Sequence, residues 1–130
     1  MNIGAVARET GITAKTIRYY ESIGLTPRPD RQANGYRAYM EDDVATLRFV
    51  QRARGLGFSL EEVRALLTLW RDKSRASADV KKLALDHIAE INARITELEA
   101  MKRTLEDLTE RCHGDDRPNC PILEDLAKTG

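Results

Sequence analysis

Cysteine is nearly absent from this chain of 130 residues, which contains only Cys112 and Cys120. Two cysteines cannot form the framework of several disulfides that staples small secreted domains. They are also too few to supply, by themselves, the four nitrogen or sulfur ligands of a structural zinc site. Aromatic residues make up 5% of the chain and charged residues 32%, which favours a helical protein with a modest core.

Long hydrophobic runs are missing as well. No stretch approaches the roughly 20 apolar residues that a membrane-spanning helix needs, and no N-terminal segment has the pattern of a secretion signal. We therefore expect a cytoplasmic protein with no membrane partner, in a compartment that keeps thiols reduced. A cysteine pair in that setting is more often a metal site or a redox switch than a structural disulfide.

The net charge of zero conceals an uneven distribution. Residues 1–75 carry 13 Lys and Arg against 9 Asp and Glu, whereas residues 76–130 carry 8 against 12. The first part is therefore positive by four charges and the second negative by four. A positive excess at one end suits a polyanionic partner such as DNA.

The N-terminal pattern predicts a helix-turn-helix. Ile3 and Val6 share one face of a short helix, which Gly11 can end in the left-handed conformation. Thr13 is an N-cap for a second helix that runs to about Ile23. Two short helices joined by a tight glycine-containing turn place side chains of the second helix in a DNA groove.

A β-hairpin, or wing, is predicted to follow. Pro27 and Pro29 stop helix continuation, and Asn34-Gly35 favours a type I′ turn within residues 31–39. Cations and tyrosine hydroxyls of the second helix and the wing are candidate contacts to bases or phosphates: Lys15, Arg18, Tyr19, Arg31, Tyr36, Arg37 and Tyr39.

More helices are predicted downstream. Glu41 to Arg54 forms the third, and the capping-box pair Ser59 and Glu62 starts a fourth that runs through Trp70. From about residue 78 to 111 there is no Pro or Gly, and apolar residues recur in steps of three and four. A helix of roughly 50 Å cannot bury that stripe within so small a fold, so we expect it to pair with a second copy.

The predicted fold is mainly α. Residues 1–75 form a winged helix-turn-helix DNA-binding domain, residues 76–111 a long dimerisation helix, and residues 112–130 a metal-binding loop with a short C-terminal helix. Cys112 and Cys120 are the candidate ligands, because thiolates are soft donors that select Cu(I) and similar ions. Cys120 precedes Pro121, a favoured first residue of a helix, so its thiolate would lie at a helix N-terminus.

In this order the elements resemble the MerR family of transcription regulators along essentially the whole chain. The C-terminal segment, in which Cys112 is followed by Cys120-Pro121-Ile122, is similar to the copper-efflux regulators of that family, CueR and HmrR. The residues that carry the family resemblance are Ile3-Gly4-Ala5-Val6-Ala7, Thr16-Ile17-Arg18-Tyr19-Tyr20-Glu21, Gly24-Leu25, Arg31, Asn34-Gly35-Tyr36-Arg37 and Tyr39.

The resemblance implies a homodimer that is joined by an antiparallel coiled coil of the long helices and binds promoter DNA. It implies a response to Cu(I), with Ag(I) and Au(I) also open. It implies that the metal-bound form distorts the promoter until RNA polymerase can use it, activating copper efflux genes. It adds Thr16, Asn34 and Gly35 to the DNA-contacting set. Relatives that bind divalent metals carry a cysteine just before the long helix, where this chain has Ser77, a poor ligand. Ser77, Lys81 and His113 are therefore expected around the metal site rather than as its ligands.

Other functions stay open at this point. A redox-sensing regulator would use the same two cysteines in a reversible disulfide, but the acidic loop residues Asp115 and Asp116 argue mildly against a reactive thiol of low pKa, so this alternative ranks below the metal sensor. A thiol enzyme or metal carrier would lack an identifiable base and would leave the N-terminal half unexplained. A drug-sensing relative would carry a larger C-terminal domain than the roughly twenty residues that follow the long helix.

Overall fold

A computed structural model describes residues 1–29 and 38–128. That part of the chain contains no strand, which confirms the mainly α fold class, and the predicted hairpin lies almost entirely outside it. The chain forms two compact units, Met1–Leu83 and Ala84–Gly130. The helices of the described residues are α1 (Ile3–Thr10), α2 (Ala14–Ser22), α3 (Glu41–Gly55), α4 (Leu60–Arg71), α5 (Ser77–Arg111) and α6 (Pro121–Leu126).

The helix boundaries lie where local capping chemistry places them. Gly11 follows α1 with a φ of 74°, a conformation that costs glycine no Cβ clash. The Thr13 hydroxyl accepts a hydrogen bond from the Thr16 amide at 3.2 Å and so begins α2. Ser59 and Glu62 form the predicted capping box at the start of α4, with reciprocal bonds of 3.2 and 2.9 Å. The predicted helices and caps of the described residues are thus confirmed.

Two hydrophobic clusters hold the Met1–Leu83 unit together, and Tyr20 packs against both. In this unit α1 packs on α2 and α3, and α3 packs on α4. Each fully buried aliphatic side chain contributes about 1.5–3 kcal/mol relative to exposure. The first cluster comprises Val6, Ile12, Ile17, Tyr39, Val44 and Leu47; the second comprises Leu25, Val50, Ala53, Phe58, Val63 and Leu67.

Most of the Ala84–Gly130 unit is the continuation of α5. Six residues of its predicted apolar stripe, together with Leu85, are between 40% and 54% accessible in the single chain, whereas Leu108 at the end of the predicted stripe is buried at 2%. Such a stripe on a continuous helix favours pairing with another helix. The exposed residues are Leu85, Ile88, Ile91, Ile95, Leu98, Met101 and Leu105.

Candidate nucleic-acid interface and metal centre

The outer face of α2 carries the candidate DNA contacts. Ile17 is fully buried, which directs Lys15, Arg18 and Tyr19 outward, and all three are exposed. The Thr13 hydroxyl donates to the Thr16 hydroxyl at 2.9 Å, fixing the first turn of the helix. The predicted orientation of this face is confirmed, and its contact with DNA stays a prediction.

Tyr39 departs from the prediction that its hydroxyl contacts a phosphate. The residue is only 3% exposed, and its hydroxyl donates to Glu21 Oε2 at 2.6 Å. Its backbone N–H donates to the Met1 carbonyl at 2.9 Å. The apolar ring therefore fills the core while the hydroxyl serves a buried carboxylate, which corrects its assignment as a DNA contact.

The wing positions proposed for DNA contact lie outside the described residues. They are Arg31, Asn34, Gly35, Tyr36 and Arg37.

The two cysteines flank the loop between α5 and α6. Cys112 directly follows α5 and Cys120 is the residue before α6. Both are reduced and partly exposed. The pKa of the Cys120 thiol lies below its usual value, mainly because the Leu123 backbone amide favours the thiolate, with help from Ile122 and from the Cys112 thiol; burial and Glu124 oppose this. The Cys112 thiol is thus near enough to Cys120 to lower the pKa of its thiol.

A compact turn lies within that loop. The Arg117 backbone N–H donates to Asp115 Oδ1 at 2.9 Å, and its guanidinium contacts Asp115 Oδ2 at 2.7 and 2.8 Å. These bonds from Arg117 keep the pKa of the Asp115 carboxyl below its usual value. Asp115 is thus a turn residue, with its oxygens directed at a cation of the chain itself.

The donor set fits a soft monovalent ion. Two adjacent sulfur atoms, one of them favoured as thiolate, match the preference of Cu(I) for few soft ligands. The chain has no third cysteine, so a site of three or four thiolates within one chain is excluded.

Comparison with known proteins identifies the family. Residues 1–69 match the model described as MerR HTH family regulatory protein, and residues 44–108 match the model described as MerR, DNA binding. The chain belongs to the MerR family. The family resemblance inferred from the sequence is thereby confirmed, and a MerR regulator of this kind binds promoter DNA.

Individual MerR relatives agree with this assignment. The transcriptional regulator HmrR of Sinorhizobium medicae is 55% identical over 130 residues, covering 100% of this chain and 88% of the relative. The transcriptional regulator CueR of Salmonella typhimurium is 46% identical over 127 residues, covering 98% and 92%. The crystal structure of PbrR691 from Ralstonia metallidurans in complex with lead(II) is 35% identical, with a TM-score of 0.84 and coverage of 98% and 99%. The chain is a transcriptional regulator, as predicted, and not an enzyme.

The remaining predicted metal-site residues of this MerR protein are exposed. Ser77 is the first residue of α5 and Lys81 lies one turn later. His113 follows Cys112 in the loop and is also exposed. Their placement around the ion stays a prediction. Among the described residues, none of the helices has the length and apolar character that a membrane crossing requires.

Arg64 lies on α4 and contacts the C-terminal end of α2, a role that was not predicted from the sequence. Its guanidinium donates to the carbonyls of Ile23 and Gly24, both at 2.9 Å. A single Arg on an amphipathic helix gives no sequence signal for partners some 40 residues away in the chain.

Proposed function

We propose that this metal-responsive MerR regulator senses Cu(I) through Cys112 and Cys120 and activates copper efflux genes. The observation that carries the proposal is the juxtaposition of two reduced thiols, with the pKa of Cys120 lowered. Thiolates, not thiols, are the metal-binding form of cysteine. Ag(I) and Au(I) have the same preference for soft ligands, so they are secondary candidates for the same site.

The choice of a monovalent ion follows from the number and charge of the ligands. Two thiolates and one monovalent ion leave a single negative charge, which the backbone amides of Leu123 and Ile122 partly offset. Zn(II) prefers four nitrogen or sulfur ligands in closed sites, and Ser77 stands where divalent relatives have a cysteine. The similarity to HmrR and CueR supports the same choice.

The DNA-binding role is assigned to the outer face of α2. Lys15 and Arg18 are exposed cations, and Tyr19 presents its hydroxyl and ring at 51% exposure. Side chains of this kind bond phosphates and base edges in duplex DNA. We assign the exposed α5 stripe to a homodimer, in which two such faces meet the two halves of a promoter site.

Metal binding and promoter activation are coupled through the loop and α6. Cys112 and Cys120 would hold the ion, which would supply the positive charge that keeps the two thiolates together. The end of α5 would then stay close to the start of α6, and residues 113–119 between them would be ordered. On α6, Leu123 and Leu126 are 66% and 70% exposed, and ordering of the loop presents them to apolar surface of the dimer. The dimer state favoured in this way distorts the promoter for RNA polymerase, because an effector acts by its differential affinity for two states.

An anaerobic metal titration tests the proposal. Reduced protein is titrated with Cu(I), and separately with Zn(II), against a competing chelator. The expected result is one tightly held Cu(I) per chain, lost in both Cys112→Ser and Cys120→Ser, with weak Zn(II) binding.

Run-off transcription with RNA polymerase and the chain's own promoter is expected to increase with Cu(I) only in the wild type. Weak Cu(I) binding together with transcription that responds to a thiol oxidant would replace the copper sensor by the redox sensor.

A further inference from the structure

The end of the candidate recognition helix α2 is bound by a side chain from another helix. Arg64, on α4, donates from one terminal nitrogen to the Gly24 carbonyl at 2.9 Å and from the other to the Ile23 carbonyl at 2.9 Å. Ile23 is the C-cap of α2, and Gly24 follows with a φ of 71°. The planar guanidinium thus spans two successive carbonyls, a geometry that its fixed fork of donors allows.

The last turn of α2 contains no basic residue that could complement the negative end of the helix. Helix C-termini carry exposed carbonyls and a partial negative charge that nearby cations stabilise. Arg8 occupies the last turn of α1, Arg52 and Arg54 that of α3, and Arg71 that of α4, whereas α2 has no basic residue there. Arg64 supplies the missing charge from a different helix.

The two carbonyls that Arg64 binds lie just beyond the backbone bonds that close the helix. Backbone N–H groups of Ile23, Gly24 and Leu25 bond the carbonyls of Tyr19, Glu21 and Tyr20 respectively. The carbonyls of Ile23 and Gly24, at the C-cap and the residue after it, accept the Arg64 guanidinium. The bond is therefore part of how the helix ends and not an incidental surface contact.

We propose that Arg64 is a positioning residue for DNA recognition. It fixes the C-terminal end of α2 to α4 and so sets the orientation in which Lys15 and Arg18 face the duplex. The proposal rests on the DNA role assigned above to the outer face of α2. Since α4 directly precedes α5 in the chain, the same bond ties the recognition helix to the segment that leads toward the dimerisation helix.

The test compares the affinity for DNA with its salt dependence. The probe is a fluorescein-labelled duplex that the full-length wild-type protein selects from a random-sequence pool. Binding is followed by fluorescence anisotropy at salt concentrations from about 50 to 200 mM, because affinity that depends on phosphate contacts falls steeply over this range. Arg64→Met removes both donors and keeps an unbranched side chain. Arg64→Lys keeps the charge but not the fork. Arg18→Met is the reference for a side chain that contacts DNA itself.

The expected result separates positioning from direct contact. Arg64→Met lowers the affinity by about fivefold or more, the lower end of typical couplings between sites, while the slope of log affinity against log salt stays unchanged. Arg64→Lys restores only part of the loss. Arg18→Met lowers the salt slope by about 0.9, as loss of one phosphate contact does. Circular dichroism at the assay temperature verifies that each variant is folded. If Arg64→Met does not fold, the comparison of Arg64→Lys with the wild type still tests the proposal.

Three results overturn the proposal in different ways. If the Arg64 variants bind like the wild type while Arg18→Met is weakened, α2 contacts DNA but Arg64 does not position it. A drop of about one in the salt slope of Arg64→Met would make Arg64 itself a phosphate contact. If Lys15→Ala and Arg18→Met together leave affinity and slope unchanged, the DNA role of α2 fails and the Arg64 proposal fails with it.

Discussion

The hydroxyl of Tyr39 donates a 2.6 Å hydrogen bond to the carboxylate of Glu21, joining the segment before α3 to the recognition helix. Both residues are buried, at 3% and 5% exposure. A buried carboxylate is stabilised only where donors replace the water it has lost. Tyr39 is therefore a structural partner of α2 within the DNA-binding unit.

Removing that hydroxyl is expected to destabilise the fold. Tyr39→Phe leaves the ring in place but deprives Glu21 of a donor, which costs about 1–3 kcal/mol of unfolding free energy. Urea unfolding measures the change. The matched control is Tyr19→Phe, which alters a 51% exposed side chain and is expected to stay within about 0.5 kcal/mol of the wild type. Unchanged stability of Tyr39→Phe with a reduced salt slope for DNA binding would restore Tyr39 as a phosphate contact.

The lowered pKa of Cys120 predicts a thiol that reacts at a lower pH than an ordinary cysteine. In the folded state the Leu123 amide favours the Cys120 thiolate. The Cys120 thiolate therefore stabilises the fold at pH values above the pKa of the thiol in the unfolded chain. This stabilisation is lost as the pH falls through the lower pKa of the folded state. Alkylation of metal-free Cys112→Ser by iodoacetamide is expected to rise with pH around a midpoint below 9.0, the ordinary value. The same protein in urea is the control, and a folded midpoint at or above the urea midpoint contradicts the assignment.

The turn formed by Asp115 and Arg117 is expected to raise metal affinity by ordering the loop in advance. Asp115→Ala removes the acceptor of the three Arg117 contacts, so more of the loop must be ordered on binding. Because the pair is exposed, its effect is small, and we expect a loss of Cu(I) affinity of about fivefold at most. Chelator competition measures it, with Asp116→Ala as the matched control. Equal losses in both variants would point to the general charge of the loop.

Local signals made much of this fold predictable. Gly11, Thr13 and the Ser59–Glu62 pair act on backbone groups within four residues of themselves, so their sequence spacing is sufficient. The roles of Tyr39 and Arg64 were not accessible in this way, because their partners lie 18 and some 40 residues away in the chain. An amphipathic tyrosine or arginine looks the same in a sequence whether its polar end meets phosphate or protein.

The candidate metal site was predictable for a different reason. The thiols of Cys112 and Cys120 are the only ones present, so residue chemistry and the family resemblance left few choices of ligand. The bonds between Asp115 and Arg117 were not foreseen, because loop conformation depends on specific turn geometry that composition does not reveal. The sequence therefore indicated which atoms are the candidate metal ligands, and the structure adds how the loop between the two cysteines is organised.

The exposed stripe of α5 predicts that the protein is a dimer whose assembly depends on apolar contact. Ile95 lies in the middle of the stripe and is 46% exposed in the single chain. Ile95→Lys would place a charge in the interface, where an unpaired buried charge is strongly unfavourable. Light scattering after size-exclusion chromatography is expected to give about twice the 14.7 kDa chain mass for the wild type and a lower mass for the variant at micromolar concentration.

The control for that experiment places the same charge on the other side of the helix. Ala93 is exposed and lies two residues before Ile95, which at about 100° per residue puts it on the opposite face of α5. Ala93→Lys is therefore expected to remain dimeric and to bind the promoter duplex like the wild type. Ile95→Lys is expected to lose promoter affinity together with dimer mass, because two half-sites then contact separate chains. A dimeric Ile95→Lys would place the contact between subunits on another surface of the protein.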